Sequence, residues 1–141
     1  MAAKKTKKKP TTSCPCGTGD KFNDCCAPLL RRQRGATTAV ELMRSRYTAF
    51  VKGNESYVDW SWHPEQRPAD VGSIPDEGWE PLEILASAGG GPEDASGTVE
   101  FRTAYRHGDH AHTLHEVSMF TRYDDPDFGE RWVYLTGSAP S

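Results

Sequence analysis

Four cysteines, Cys14, Cys16, Cys25 and Cys26, fall within thirteen residues, and the chain has no others. Paired as C-x-C and C-C around an eight-residue spacer, they act as one chemical object. A structural zinc site takes four ligands at the corners of a tetrahedron, with sulfurs about 2.3 Å from the metal. Two close pairs joined by a reversing loop supply such a cage. Gly17 and Gly19 permit the positive φ that the reversal needs, and Pro15 stiffens the first pair. Phe22 gives the loop one apolar side chain to cover the metal. Adjacent side chains diverge in extended or helical backbone, so the vicinal pair predicts a turn or a helix start at Cys25-Cys26. Disulfides, free thiols and a redox pair are the alternatives. No apolar signal-peptide region and no stretch long enough to span a membrane is visible, so the expected compartment is the cytoplasm, where persistent disulfides are rare. Four thiolates suit zinc, and also iron.

The run CPCGTGDKFNDCC resembles the SEC-C motif, the zinc knuckle found at the C-terminus of the SecA translocation motor and in many bacterial proteins. The resemblance implies that Cys14, Cys16, Cys25 and Cys26 are the four ligands. It also implies a protein, ribosome or export-machinery partner bound through the knuckle. The run departs from the usual motif at Asp20 and Asp24, where lysine is common, which removes positive charge from the knuckle.

The net charge of −3 conceals a split. Residues 1–36 hold nine Lys or Arg and two Asp or Glu, for +7, and residues 37–141 carry −10. The arm holds Lys4, Lys5, Lys7, Lys8 and Lys9. Residues 1–13 read as a disordered basic tail, nearly free of apolar side chains, able to make weak contacts with anionic surfaces. No aromatic residue is interleaved with the lysines for base stacking, so a solubilising role outweighs nucleic-acid binding. Residues 14–36 read as the knuckle and its linker, and residues 37–141 as one domain, for which the length of 141 residues is sufficient.

In the body, Thr38 followed by Glu41 has the spacing of a capping box. Val40, Met43, Tyr47, Phe50 and Val51 follow at helical spacing, and Gly53 ends the helix. Asn54 caps a second, short helix with Tyr57 and Val58, stopped by His63-Pro64. Residues 64–78 read as a loop. Strands are expected over 79–87, 98–107, 111–123 and 131–136, with Gly108-Asp109 in the third connection. Two helices followed by four closely connected strands make an α+β domain in which helices pack on a curved four-stranded antiparallel sheet. Such a wrap leaves a cone with an open end, where pockets form.

Beyond the knuckle, LMRSRYTAF from Leu42 to Phe50, Trp62-His63-Pro64, LHEVSMF from Leu114 to Phe120 and Trp132-Val133-Tyr134 resemble the YchJ family. That resemblance implies a SEC-C knuckle followed by a cone-shaped domain similar to nuclear transport factor 2 (cystatin-like). The candidate pocket residues are Arg44, Arg46, Trp62, His63, His115 and Glu116. If the face with His115, Val117 and Met119 lines the cone, His115 is inside and Glu116 outside. A one-residue register choice reverses this. His107, His110, His112 and His115 flank a turn and read as exposed. The leading expectation is a zinc-binding interaction module acting on a protein or ribonucleoprotein, with a small-ligand pocket in the body. The alternatives are an enzyme working in that pocket and a purely structural metal cap. All four thiols are committed to the metal, so no cysteine is an obvious nucleophile.

Overall fold

The computed structural model of the chain describes residues 13–68 and 78–140. Among these, three α-helices, α1 (Ala27–Leu30), α2 (Ala39–Val51) and α3 (Glu55–Trp60), precede four strands, β1 (Glu83–Gly89), β2 (Ser96–His107), β3 (His110–Asp125) and β4 (Gly129–Ser138). The strands form one antiparallel sheet in the order β1-β2-β3-β4. This is the α+β arrangement expected from the sequence. Residues 1–12 of the basic tail, including Lys4 to Lys9, and residues 69–77 of the expected loop lie outside the described residues.

Capping chemistry sets both helix starts. Thr38 is extended (φ −136°, ψ 164°), and its Oγ1 accepts from the Glu41 amide at 3.1 Å. The Glu41 carboxylate turns back to the Thr37 amide at 2.7 Å rather than to that of Thr38, so the capping box closes one residue early. Two Arg34 N–H groups hold the same carboxylate at 2.8 and 3.2 Å. Asn54 Oδ1 accepts from the Tyr57 amide at 2.9 Å and starts α3.

The first strand begins at Glu83, four residues later than expected. Glu80 still touches the sheet, since its amide donates to the Ala104 carbonyl at 2.7 Å. Pro81 then removes a donor, and pairing resumes only beyond it. The Glu80 carbonyl is taken instead by the hydroxyls of Tyr47 and Thr103. The β2–β3 hairpin turns tightly at Gly108-Asp109, with His107 opposite His110 and Gly108 at φ 64°. Irregularities in register between Ile84 and Ala86, and between Met119 and Phe120, bend the sheet.

The main core lies between α2 and the sheet, where Leu42, Met43 and Tyr47 meet Val99, Phe101, Phe120 and Trp132. The Trp132 indole N–H donates to the Thr37 carbonyl at 3.2 Å, tying the last strand to the start of α2. The Ala39 amide donates to the Gly90 carbonyl at 2.9 Å, so the β1–β2 turn sits against the same helix end. Gly97 permits that approach: a Cβ there would stand 2.5 Å from Gly90 Cα and N. These are backbone atoms that cannot swing aside. Gly97→Ala should therefore cost about 1–3 kcal/mol of stability, as overpacking does, measured by urea unfolding. An unchanged midpoint would contradict this account of the turn.

Candidate functional site

The spacer between the cysteine pairs folds back on itself through its glycines. Cys14 N donates to the Asp20 carbonyl at 2.8 Å, Ser13 bridges Lys21, and Gly17 and Gly19 both adopt φ 90°. A single 3-10 turn over Phe22–Asp24 then leads to Cys25 and Cys26, and Cys26 is the N-cap residue of α1. The vicinal pair thus sits at a helix start, which turns adjacent side chains toward one point. The four sulfurs all lie within 4.8 Å of one another. Metal–sulfur bonds of about 2.3 Å in a tetrahedron place sulfurs about 3.8 Å apart, and Cys16 and Cys25 stand at 3.6 Å. A disulfide needs about 2.05 Å, and all four cysteines are free. The cluster therefore fits a metal ion.

The thiols also perturb one another. Hydrogen bonds from Cys16 and Cys26 pull the Cys14 thiol far below its ordinary value. Hydrogen bonding to Cys14 and Cys16, with burial, pushes Cys26 far above it. Burial is the main cause that raises Cys25 to about 11. The Cys14 thiolate is favoured, while Cys25 and Cys26 hold their protons. A cation bound among the sulfurs would let Cys25 and Cys26 ionise as well.

The knuckle is built into the body. Thr48, fully buried on α2, donates its hydroxyl to Cys26 Sγ at 3.4 Å and lies 3.7 Å from Cys14 Sγ. Thr18 Oγ1 lies 3.2 Å from Cys25 Sγ. Arg44 Nη1 donates to the Cys16 carbonyl at 2.6 Å, and Lys52 Nζ lies 4.3 Å from the Phe22 ring centre. On α1, Leu29 is buried against Ala49, Tyr57 and Val58. Between the knuckle and the start of α2 is an open cleft of about 400 Å³, lined by Asp24, Cys25, Arg34, Glu41 and Arg44 among others.

A second, narrower cleft of about 210 Å³ opens between α2 and the sheet. It brings together three of the six pocket candidates, Arg46, Trp62 and Glu116. Arg46 is only 4% exposed. Its Nη1 donates to the Val58 carbonyl at 3.0 Å and to Ser61 Oγ at 2.7 Å, and its guanidinium lies 4.4 Å from the Tyr134 ring centre. Burial lowers the guanidinium to about 10, so it stays charged at neutral pH. Glu116 Oε2 accepts from Ser118 Oγ at 2.7 Å and from the Tyr134 hydroxyl at 3.0 Å. Burial, then the nearby Glu116 carboxylate, pushes the Tyr134 phenol well above its ordinary value, which keeps it a donor.

The other three candidates lie elsewhere. Arg44 faces the knuckle, because it is one helical turn from Thr48 rather than from Phe50. His63 sits beyond the sheet edge. Its amide donates to the Tyr134 carbonyl and Tyr134 donates to the Ser61 carbonyl, an extended pairing in which successive side chains alternate. Trp62 turns to the cleft, while the His63 ring rests on Tyr123, 5.5 Å between centres. The register of β3 puts Glu116 and Ser118 inward and His115 on the outer face, 2.7 Å from Glu100. Thr48, Tyr134 and Gly137 were not singled out from the sequence. Thr48 was legible in principle, being four residues after Arg44.

Comparison with known proteins agrees with both halves of this picture. The SEC-C motif matches residues 11–28, and the middle NTF2-like domain of YchJ matches residues 38–137. A UPF0225 protein of Geobacter sulfurreducens is 46% identical over 90% of this chain and 79% of its own. One from Streptomyces coelicolor is 44% identical over 91% and 96%. Among solved structures, the solution structure of a SEC-C motif containing protein from Rhodopseudomonas palustris aligns with a TM-score of 0.72 at 32% identity, covering 91% of this chain and 98% of that one. A crystal structure of a SEC-C motif containing protein from Psychrobacter arcticus gives 0.70 at 26%, covering 91% and 82%. With a cysteine knuckle cemented to an NTF2-like helix-on-sheet body, and with these relatives, the chain belongs to the UPF0225 family, whose middle domain is that of YchJ.

Proposed function

We propose that this protein is a zinc-binding adaptor. Cys14, Cys16, Cys25 and Cys26 hold one zinc ion, and the knuckle around it docks a protein partner on the cleft it forms with α2. The observation that carries this reading is the convergence of four sulfurs within 4.8 Å, three of them buried against the body and Cys25 on the rim of that cleft. Four protein ligands leave no open position for a substrate water, so zinc contributes structure here and not hydrolytic chemistry. The cleft walls carry Asp20, Asp24 and Glu41 beside Arg34 and Arg44. Mixed charge suits a polypeptide better than a phosphate backbone, which the three acids repel.

The hydroxyl of Thr48 orients and stabilises the sulfurs from outside the ligand set. Partners of this kind change metal affinity about 10–100-fold when removed. Thr48→Val, which keeps the shape, should weaken zinc binding at least about tenfold in competition with a chromophoric chelator. Equal affinity would contradict the role given to Thr48. Metal analysis of the purified chain should return one zinc per chain, and an iron-loaded, coloured protein would overturn the choice of metal. Affinity capture with wild-type and Cys25→Ser protein should give different partners. Identical partners, or partners lost on ribonuclease treatment, would overturn the docking proposal.

A further inference from the structure

The cleft between α2 and the sheet holds two opposite charges that do not satisfy each other. Arg46 forms no ion pair among the described residues, where six other pairs occur. Only its Nη1 is hydrogen-bonded, leaving Nε and Nη2 without a partner among the described residues. Glu116 receives both of its hydrogen bonds on Oε2, leaving Oε1 without one. Both residues line the same cleft. These atoms are not among the buried side-chain atoms left without a partner, which among the described residues are Trp62 Nε1 and Arg67 Nε, so they stay open to the cleft and within reach of a ligand that supplies partners for both charges.

The surroundings narrow the ligand. Met43, Phe50, Phe101 and Leu114 also line the cleft and give it an apolar wall. At about 210 Å³ the cleft is below the roughly 300–1,000 Å³ typical of drug-sized ligand sites. A simple anion would meet Glu116, and a simple cation would meet Arg46.

Glu116 is also held in place deliberately. A Cβ on Gly137, across the sheet from Ser118, would stand 1.8 Å from Glu116 Oε2. Only a residue without a side chain lets the carboxylate lie where Ser118 and Tyr134 hold it. Unlike the backbone clash at Gly97, this one is relieved by swinging a flexible side chain away, so it costs position more than stability.

We infer that this cleft binds a small zwitterion, an α-amino acid with an apolar side chain, its carboxylate on Arg46, its ammonium on Glu116 and its side chain against Phe50 and Phe101. This deepens the expectation of a small-ligand pocket and is independent of the metal and docking roles proposed for the knuckle. The test is isothermal titration of the full chain with L-leucine, L-methionine and L-phenylalanine. Two truncated probes accompany them: 4-methylpentanoate, which lacks the amine of leucine, and 3-methylbutylamine, which lacks its carboxylate. At least one amino acid should bind, both truncated probes should bind at least tenfold more weakly than leucine, and Glu116→Gln and Gly137→Ala should each lose tenfold or more while melting within a few degrees of wild type. The inference is overturned if none of the three amino acids binds at millimolar concentration. It is equally overturned if either truncated probe matches leucine, or if both variants bind as wild type does.

Discussion

Everything in this molecule hangs on one thirteen-residue helix that serves four neighbours at once. Residues four apart on a helix share a row, and successive residues of α2 begin successive rows. Arg44, Thr48 and Lys52, at the C-cap, face the knuckle, through the Cys16 carbonyl, the Cys26 sulfur and the Phe22 ring. Ser45 and Ala49 face α3, with the Ser45 hydroxyl 2.8 Å from that of Tyr57. Arg46 and Phe50 line the narrow cleft, and Met43 and Tyr47 enter the sheet core. Such a helix has no solvated face along this stretch. Its apolar periodicity is therefore modest, because the buried polar residues Ser45, Arg46 and Thr48 interrupt its apolar ones.

This arrangement makes the four-cysteine knuckle part of the core rather than an appendage. The sulfurs touch a buried threonine, and α1, which starts at Cys26, inserts Leu29 among the side chains of α2 and α3. Burying such a side chain contributes about 1.5–3 kcal/mol, so order in the knuckle and order in the body are coupled. The two buried arginines of the body show the contrast between structural and unsatisfied charge. Arg131 is 3% exposed, bonds Asp125 at 2.9 Å and the Trp60 carbonyl at 2.8 Å, and lies 3.8 Å from the Trp60 ring centre. The Asp125 carboxylate is held below its usual range by the Asp127 amide and by Arg131. Arg46 is buried to a similar depth with no carboxylate partner, which is why the cleft beside it, and not the neighbourhood of Arg131, is read as a site.

The parts of the fold written in local chemistry were legible in the sequence. Cysteine spacing, the Thr38 and Asn54 caps and the alternation in β2 and β3 each depend on neighbours within a few residues. The choice between His115 and Glu116 was not legible, because a period of two is blind to which face is buried until the partner helix is placed. Arg44 and Arg46 differ by two positions and so by more than half a helical turn, yet both looked equally able to reach a pocket until the knuckle claimed one. Pro81 and the Tyr47–Glu80 contact displaced the first strand through a long-range hydroxyl that no local pattern announces. Gly137 carries no signal at all, since its purpose is to leave room for a side chain twenty-one residues earlier.

The central claim is that the four-cysteine knuckle and α2 form one cooperative unit. Hydrogen–deuterium exchange of the full chain, with metal bound and after chelation, tests it most directly. The account predicts that chelation deprotects the amides of residues 42–49 in α2 together with those of residues 14–30. Exchange that rises in residues 14–26 alone, with α2 as protected as before, would contradict it.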